Sequence, residues 1–357
     1  MKKIDNKAFS LIADKRERKR LKRKNKLGRG RRPLARSNNN REKRTNIVIP
    51  SSLDLEQNRD KFIALLEKVQ DVFLNGKPFV IDHSHMKRIT KDALLLLTSE
   101  IERCTTLMGI KLKAKSKFAP TNGYIRILLN KIGYWDYFNL NLGNSRDKSS
   151  NGSEIYLKIV GDTQVSGEKI GCLIQFFEKL ICFDIPTKDK FSDAMMEAAA
   201  NTVEHAYSEE QEVKNIKKWW LTASINTATN EISFIFYDQG LGILNTLEST
   251  QKHIRLKRLV AGWLSEGVSK GGILRKLVTT NLSSYKDERR GNGLISFKTF
   301  IDQVRGGELT IHTDDVSYSA IEDKVQNYNT SIRGTLIVWR IKANQVDDKC
   351  MYIRENQ

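Results

Sequence analysis

A single stretch, FSDAMMEAAANTVEHAY at residues 191–207, constrains the fold of this chain more than any other. Its apolar residues recur at helical spacing, and three consecutive alanines favour a helix. Glu197, Asn201 and His205 are spaced four residues apart, so they share one face of that helix. A carboxylate and a carboxamide stacked in this way can hold a magnesium ion and orient a water or hydroxyl for attack. An ordinary amphipathic helix with a polar stripe would have the same pattern, so the segments downstream must distinguish the two.

Three glycine-containing segments follow this helix. The sequence FIFYDQGLGI at residues 234–243 is an apolar, strand-like run that ends in an aspartate and two glycines. The sequence GNGL at residues 291–294 opens a second helical pattern, and Gly334 and Thr335 start a last apolar run, LIVWRI. Each segment alone is more often a turn than a ligand site. The helix and these three segments, in this order, form a much more specific pattern.

Together the four segments resemble the GHKL superfamily of ATP-binding domains, which includes the gyrase B subunit, MutL and the histidine kinases. The run EAAANTVEHAY is most similar to the anti-sigma-factor serine kinases. The resemblance extends from Glu154 to about Lys342, and we assign residues 154–345 to this domain. It implies an α/β sandwich that binds ATP with Mg²⁺. The residues implied for the nucleotide site are Glu197, Asn201, Asp238, Gly240, Gly242, Gly291, Gly293, Leu294 and Thr335.

At the base end, the resemblance implies that Asp238 accepts a hydrogen bond from the adenine amino group. Gly240 and Gly242 would let the base and ribose approach the backbone, because glycine has no side chain. Thr335 would support the adenine pocket.

At the phosphate end, the free N–H groups of a helix start at Gly291 and Gly293 would face the phosphates. Asn201 would be the magnesium ligand and Glu197 the general base, whereas His205 is expected to be mainly structural. Arg289 or Arg290 could add positive charge. Residues 244–290 would form the lid over the nucleotide, with Gly267, Gly271 and Gly272 as candidate hinges.

The net charge of +19 is carried mainly by the N-terminal segment. Residues 1–45 contain 19 Lys and Arg against 4 Asp and Glu, a net charge of +15, which leaves +4 for the other 312 residues. Like charges at this density repel one another and few apolar residues can form a core, so we expect a disordered basic arm. Such an arm can contact nucleic acid. A solubilising tail, or contact with a ribosome, anionic lipid or acidic protein, would also fit.

Residues 46–140 predict a small α/β domain. The predicted elements are strands at 46–50, 77–82 and 110–114, and helices at 58–74, 91–108 and 124–138. This pattern resembles a STAS domain, the fold of the anti-sigma-factor antagonists that partner the serine kinases. Lys91 stands where that family has its phosphoacceptor serine, which favours docking or dimerisation over phosphorylation. Thr90, next to Lys91, has the nearest hydroxyl that could be phosphorylated instead. Residues 141–153 would then be a linker, and residues 346–357 a tail.

The fold class is therefore α/β, with a STAS-like domain followed by a GHKL sandwich. The four cysteines show no C-x-x-C pairing and are typical of reduced thiols. No apolar run approaches the roughly 18 residues of a membrane-spanning helix. We expect a cytoplasmic protein without membrane contact.

Three functions remain open from the sequence. The first is an ATP-hydrolysing regulatory switch, and the second is a serine/threonine kinase that acts on a partner protein. The third is a binding module in which ATP is a structural ligand. A homodimer is compatible with all three. Glu197, one helical turn before Asn201, fits hydrolysis and phosphoryl transfer equally well.

Overall fold

The computed structural model describes residues 45–76, 79–112, 116–140, 153–165, 167–178, 181–207, 215–249, 254–280, 293–304, 306–342 and 351–353. Several sequence predictions lie outside the described residues. These are the basic arm up to residue 44, the linker at 141–152, Arg289, Arg290, Gly291 and most of the tail.

The described residues form a mixed α/β protein. The strands are β1 (Thr45–Val48), β2 (Ser52–Leu53), β3 (Phe79–Asp82), β4 (Arg88–Ile89), β5 (Glu154–Asp162), β6 (Ile181–Phe183), β7 (Trp219–Asn226), β8 (Glu231–Asp238), β9 (Glu308–Thr313), β10 (Val316–Ser319), β11 (Lys324–Asn327), β12 (Thr335–Lys342) and β13 (Met351–Ile353). The helices are α1 (Arg59–Leu74), α2 (Lys91–Met108), α3 (Gly123–Lys131), α4 (Tyr134–Tyr137), α5 (Gly167–Glu178), α6 (Ile185–Glu204), α7 (Ile243–Ser249), α8 (Ile254–Ser265), α9 (Lys270–Thr279) and α10 (Gly293–Gln303).

A seven-stranded sheet organises the C-terminal half of the protein. Its strand order is β11-β10-β9-β12-β8-β7-β5, and every neighbouring pair is antiparallel. Strands β7 and β8 form an antiparallel hairpin, and β8 lies between β7 and β12. The register of β12 on β8 places Thr335 opposite Asp238. Two residues implied for one site, almost 100 positions apart in the chain, are therefore neighbours.

Both faces of this sheet are buried, in two different cores. Phe234 and Phe236 of β8 point into a core that also contains residues of α5, α6 and α10. We call this side the front of the sheet. Ile235 and Tyr237, the alternate residues of the same strand, point into a second core on the back. Successive side chains of a strand point to opposite faces, so β8 contributes to both cores.

The back of the sheet is covered by residues 45–140, which we call the N-terminal unit. Its helices α1 and α2 contribute buried residues to the same core as Trp220, Tyr237 and Leu336 of the sheet. In the N-terminal unit itself, β1 pairs with β3 and β2 with β4, both in parallel. The N-terminal unit and the sheet thus share one core.

The N-terminal unit follows the predicted order with two corrections. Helices α1 and α2 lie within one residue of their predicted bounds. The strand predicted at 110–114 is wrong where the chain is described, because residues 110–112 follow the helix end at Gly109 without pairing. The helix predicted at 124–138 is broken between α3 and α4 at Gly133, whose φ of 75° lies in the left-handed region that stops a helix.

The central helix α6 is longer than predicted. It begins at Ile185, six residues before Phe191, because Asp184 caps it: the Asp184 carboxylate accepts the N–H of Thr187 at 2.8 Å. Pro186 stands in the first turn, where its missing N–H has no cost. The predicted tail also contains structure, since β13 pairs with β6.

Candidate nucleotide-binding site

A cavity of about 120 Å³ lies between the front of the sheet, α6, α10 and helices of the predicted lid. Residues from all four predicted segments line it, namely Asn201, Asp238, Gly242, Gly293, Leu294 and Thr335. The apolar part of the lining includes Phe236, Phe297 and Ile337, which belong to β8, α10 and β12. An apolar cavity with a few convergent polar groups is the usual form of a small-molecule site.

Asp238 is the principal polar group of this cavity. It ends β8 and is only 6% exposed, and its Oδ1 accepts the N–H of Gly240 at 2.8 Å. Burial raises the pKa of Asp238 to about 7, against the opposing effect of the N–H groups of Gly240 and Thr335. The nearby Asp314 carboxylate raises that pKa further. A carboxylate with these properties gains from a ligand that donates a hydrogen bond to it.

The two glycines after Asp238 differ in position. Gly242 lines the cavity, and its φ of 87° is a conformation that favours glycine; a Cβ there would lie 2.7 Å from Asp314 Oδ2 and 2.8 Å from Thr313 Oγ1. Gly240 instead packs against the end of α6, where a Cβ would lie 2.3 Å from the carbonyl oxygen of Ala206. The absence of a side chain at Gly240 therefore lets this segment pack against the end of α6, and its role beside a nucleotide stays a prediction.

The start of α10 meets the acidic and amide groups of α6. A Cβ on Gly293 would lie 2.9 Å from both Glu197 Oε2 and Asn201 Nδ2. Only glycine fits at this point without displacing those side chains. The first turn of α10 is thus next to a carboxylate and a carboxamide of α6.

The side chains around Gly293 could take part in holding a magnesium ion that arrives with a nucleotide. The described residues contain no group of three or more His, Cys, Asp or Glu that could hold a metal ion. Magnesium usually keeps several waters and is bound by one or two protein oxygens together with substrate phosphates. Asn201 can supply one such oxygen, and the α10 N-terminus favours phosphate.

His205 lies at the C-terminal end of α6. Its backbone N–H donates to the carbonyl oxygen of Asn201 at 3.1 Å, and the residue lines the cavity. Its Nε2 is 3.7 Å from Glu204 Oε2. The helix-terminating hydrogen bond is made by the backbone, so the structural role expected for the His205 side chain stays a prediction.

The predicted lid contains α7, α8 and α9. Leu247, Leu256 and Leu277, one from each helix, close the cavity with apolar side chains. Gly271 and Gly272 are not in a hinge, because they belong to the first turn of α9. A Cβ on Gly271 would lie 1.9 Å from Val325 Cγ1, so this glycine lets the helix pack on β11.

Ion pairs attach α9 to the far edge of the sheet. Arg275 Nε donates to Asp323 Oδ1 at 2.7 Å, and Lys270 Nζ lies 3.5 Å from Asp315 Oδ1. These side chains are about half exposed, so each pair contributes little to stability and is screened by salt. The apolar closure by the leucines therefore dominates the position of α9.

Sequence reasoning missed four residues that hold the site. Tyr207 Oη accepts the N–H of Gln239 at 3.1 Å, and Asn245 Nδ2 donates to Asp314 Oδ1 at 2.7 Å. Tyr207 and Gln239 stood inside the recognised segments but had no implied role. Asp314 lies in the turn between β9 and β10, where no sequence signal marked it.

Comparison with known proteins adds no assignment. No protein-family model matches the chain, and none of the curated proteins matches it. The resemblance to GHKL domains therefore remains an expectation from the motif residues. In the part of the chain that the structure describes, no helix combines the length and apolar character needed to cross a membrane.

Proposed function

We propose that this chain is a GHKL-type protein that binds Mg-ATP in the front cavity and hydrolyses it as a regulatory switch. The observation that carries the proposal is the contact of Gly293 with Glu197 and Asn201, in a cavity that also contains Asp238. A base acceptor, a helix N-terminus and a candidate catalytic carboxylate are thereby combined in one site.

Asp238 would bind the adenine base. In its ionised form it accepts a hydrogen bond from the adenine amino group, and that bond in turn stabilises the ionised form. Phe236 and Ile337 supply the apolar walls for the flat base. Thr335, paired with Asp238 across the strands, completes this end of the cavity.

Glu197 and Asn201 would act at the phosphates. The magnesium ion, when bound with the nucleotide, offsets phosphate charge, and the Asn201 side-chain oxygen can hold it. Glu197, one turn earlier on the same face of α6, would take a proton from an attacking water. The N–H groups at the start of α10 would hold the phosphate oxygens.

A kinase that acts on a separate partner is the second candidate, because Glu197 could equally accept a proton from a protein hydroxyl. Transfer to the chain's own Thr90 is not favoured in this arrangement. Lys91, next to it, lies at the back of the sheet: its Nζ donates to Ser224 Oγ at 2.7 Å and to Glu154 Oε1 at 3.2 Å. The Thr90 Oγ1 atom is itself buried.

The basic arm, residues 1–45, belongs to this proposal as the contact with nucleic acid or another polyanion. Its net charge of +15 would make such binding strongly salt-dependent, because each neutralised phosphate releases counterions. The third candidate, a binding module without catalysis, would retain this contact and bind ATP without turnover.

Incubation of the pure protein with Mg²⁺ and γ-labelled ATP tests the proposal, with released phosphate and protein-bound label scored in parallel. Glu197→Gln should keep ATP binding and lose turnover. Asp193→Asn is the matched control, because Asp193 is an acid on the same helix with a side chain 62% exposed. Released phosphate without labelled protein supports the switch, and labelled protein supports the kinase. Binding without either product supports the binding module, and failure to bind ATP refutes the nucleotide site.

A further inference from the structure

The segment that recognises the base is also held from the back of the sheet. Asp238 points into the front cavity, and the next residue, Gln239, points the opposite way and is only 1% exposed. Gln239 Nε2 donates to Glu100 Oε2 at 3.1 Å and lies 3.3 Å from Ser99 Oγ. Both partners belong to α2 of the N-terminal unit. A single peptide bond therefore joins the candidate adenine acceptor to a buried contact between the two halves of the protein.

Glu100 is a firmly held partner for Gln239. Its carboxylate accepts from Arg103 Nε at 3.0 Å, and both side chains are almost fully buried. Burial acts to raise the pKa of Glu100, but the charge and hydrogen bond of Arg103, together with Arg333 and Cys104, hold that pKa below its ordinary value. The bond from Gln239 is thus made to an ionised carboxylate, which makes it stronger than a bond between neutral groups.

The backbone on either side of Gln239 is fixed as well. The Gln239 N–H donates to Tyr207 Oη at 3.1 Å, and the Leu241 N–H donates to the Ala206 carbonyl at 2.7 Å. The Gly240 N–H donates to Asp238 Oδ1 at 2.8 Å. The orientation of the Asp238 carboxylate therefore depends on a backbone segment that the Gln239 side chain ties to α2.

We propose that Gln239 is a positioning residue, which couples helix α2 of the N-terminal unit to adenine recognition by Asp238. This inference rests on the proposed nucleotide function. It gives the N-terminal unit a defined effect on the site, since a partner that displaces α2 would loosen the base contact.

The test exchanges the amide of Gln239 and the carboxylate of Glu100, which form the buried pair. Gln239→Glu puts two carboxylates together, whereas the double variant Gln239→Glu with Glu100→Gln restores one amide and one carboxylate for Arg103. Affinity is measured for Mg-ATP and for Mg-ITP, whose base has no amino group at the position that Asp238 would bind. Thermal unfolding of each variant reports its folding separately. Lys91→Met is the control, because it removes a different polar contact between α2 and the sheet.

Gln239→Glu should weaken ATP binding about tenfold and reduce the preference for ATP over ITP, and the double variant should recover most of both. Lys91→Met should leave the preference unchanged. The inference is overturned if the single variant binds ATP like the wild type. Equal loss of both nucleotides without recovery in the double variant also overturns it, since that result indicates general destabilisation. A wild-type protein that binds neither nucleotide would refute the proposed function itself, and the inference with it.

Discussion

Replacing Asp238 by Asn should reverse the base preference of the protein. In the wild type, Asp238 Oδ1 accepts the Gly240 N–H, and the carboxylate has further acceptor capacity toward the cavity. The amide oxygen of the substituted side chain can keep the Gly240 bond, which turns its NH₂ group toward the base. Two donors would then face each other when adenine binds.

The expected loss of ATP affinity can be estimated from the hydrogen bond to the charged Asp238 carboxylate. A hydrogen bond to a charged group contributes about 1.5–3 kcal/mol, and each 1.4 kcal/mol corresponds to about tenfold in Kd. Asp238→Asn should therefore raise the Kd for ATP by roughly 10- to 100-fold. It should also improve binding of ITP, whose exocyclic carbonyl oxygen can accept from the new NH₂ group.

The same substitution gives an independent signature in the pH dependence of stability. The pKa of Asp238 is about 7 in the folded protein against an ordinary value of 3.8, so the folded state binds this proton more tightly than the unfolded chain. Protonated Asp238 therefore adds to the free energy of unfolding. This contribution is fully present below pH 3.8, the ordinary pKa of the group, and is lost as the pH rises through about 7. Between pH 5.5 and 7 the wild type should lose roughly 2 kcal/mol of its free energy of unfolding from this group. The Asp238→Asn variant has no carboxylate to titrate here, so it should not show this loss.

Calorimetric titration with ATP and ITP measures the first effect, and denaturant unfolding at several pH values measures the second. Asp193→Asn, on the exposed side of α6, controls for the general effect of an Asp-to-Asn change. An unchanged ATP affinity in Asp238→Asn would show that this carboxylate does not bind the base. A parallel loss of stability with pH in the variant and the wild type would show that Asp238 is not the titrating group.

Three further substitutions or deletions examine other parts of the molecule. Gly293→Ala should abolish ATP turnover in a folded protein, because the alanine Cβ would displace the Glu197 and Asn201 side chains. Turnover at the wild-type rate would argue against this site. Gly271→Ala should lower the free energy of unfolding by about 1–3 kcal/mol, because the new Cβ clashes with Val325. Adding Val325→Ala to this variant should restore much of the lost stability, and chemical denaturation measures both effects. Deletion of residues 1–44 should lower the salt concentration that elutes the protein from a polyphosphate column, and an unchanged elution would exclude the arm as the contact.

The sequence predicted the elements of the candidate site better than their packing. Helical spacing in residues 191–207 and the glycine segments predicted α6, β8, α10 and β12, because local periodicity and turn residues determine such elements. The hinge role expected for Gly271 was mistaken, and the packing of Gly240 against Ala206 was not foreseen, because both glycines contact distant parts of the chain. Whether a glycine makes room for a ligand or for a neighbouring element is decided by long-range packing, which periodicity does not contain.

The sequences of β8 and β12 already indicate the shared core at the back of the sheet. The prediction of two separate domains, at residues 46–140 and 154–345, did not take this into account. A sheet with one face in water alternates apolar and polar residues, whereas β8 reads ISFIFY and β12 reads LIVWRI, almost continuously apolar. Strands of this kind require a cover on both faces. The lid and α6 with α10 cover only the front, so residues 45–140 are needed to bury the alternate side chains. Gln239 continues that alternation beyond Asp238, which explains why a segment that forms a cavity on one face also contacts α2 on the other.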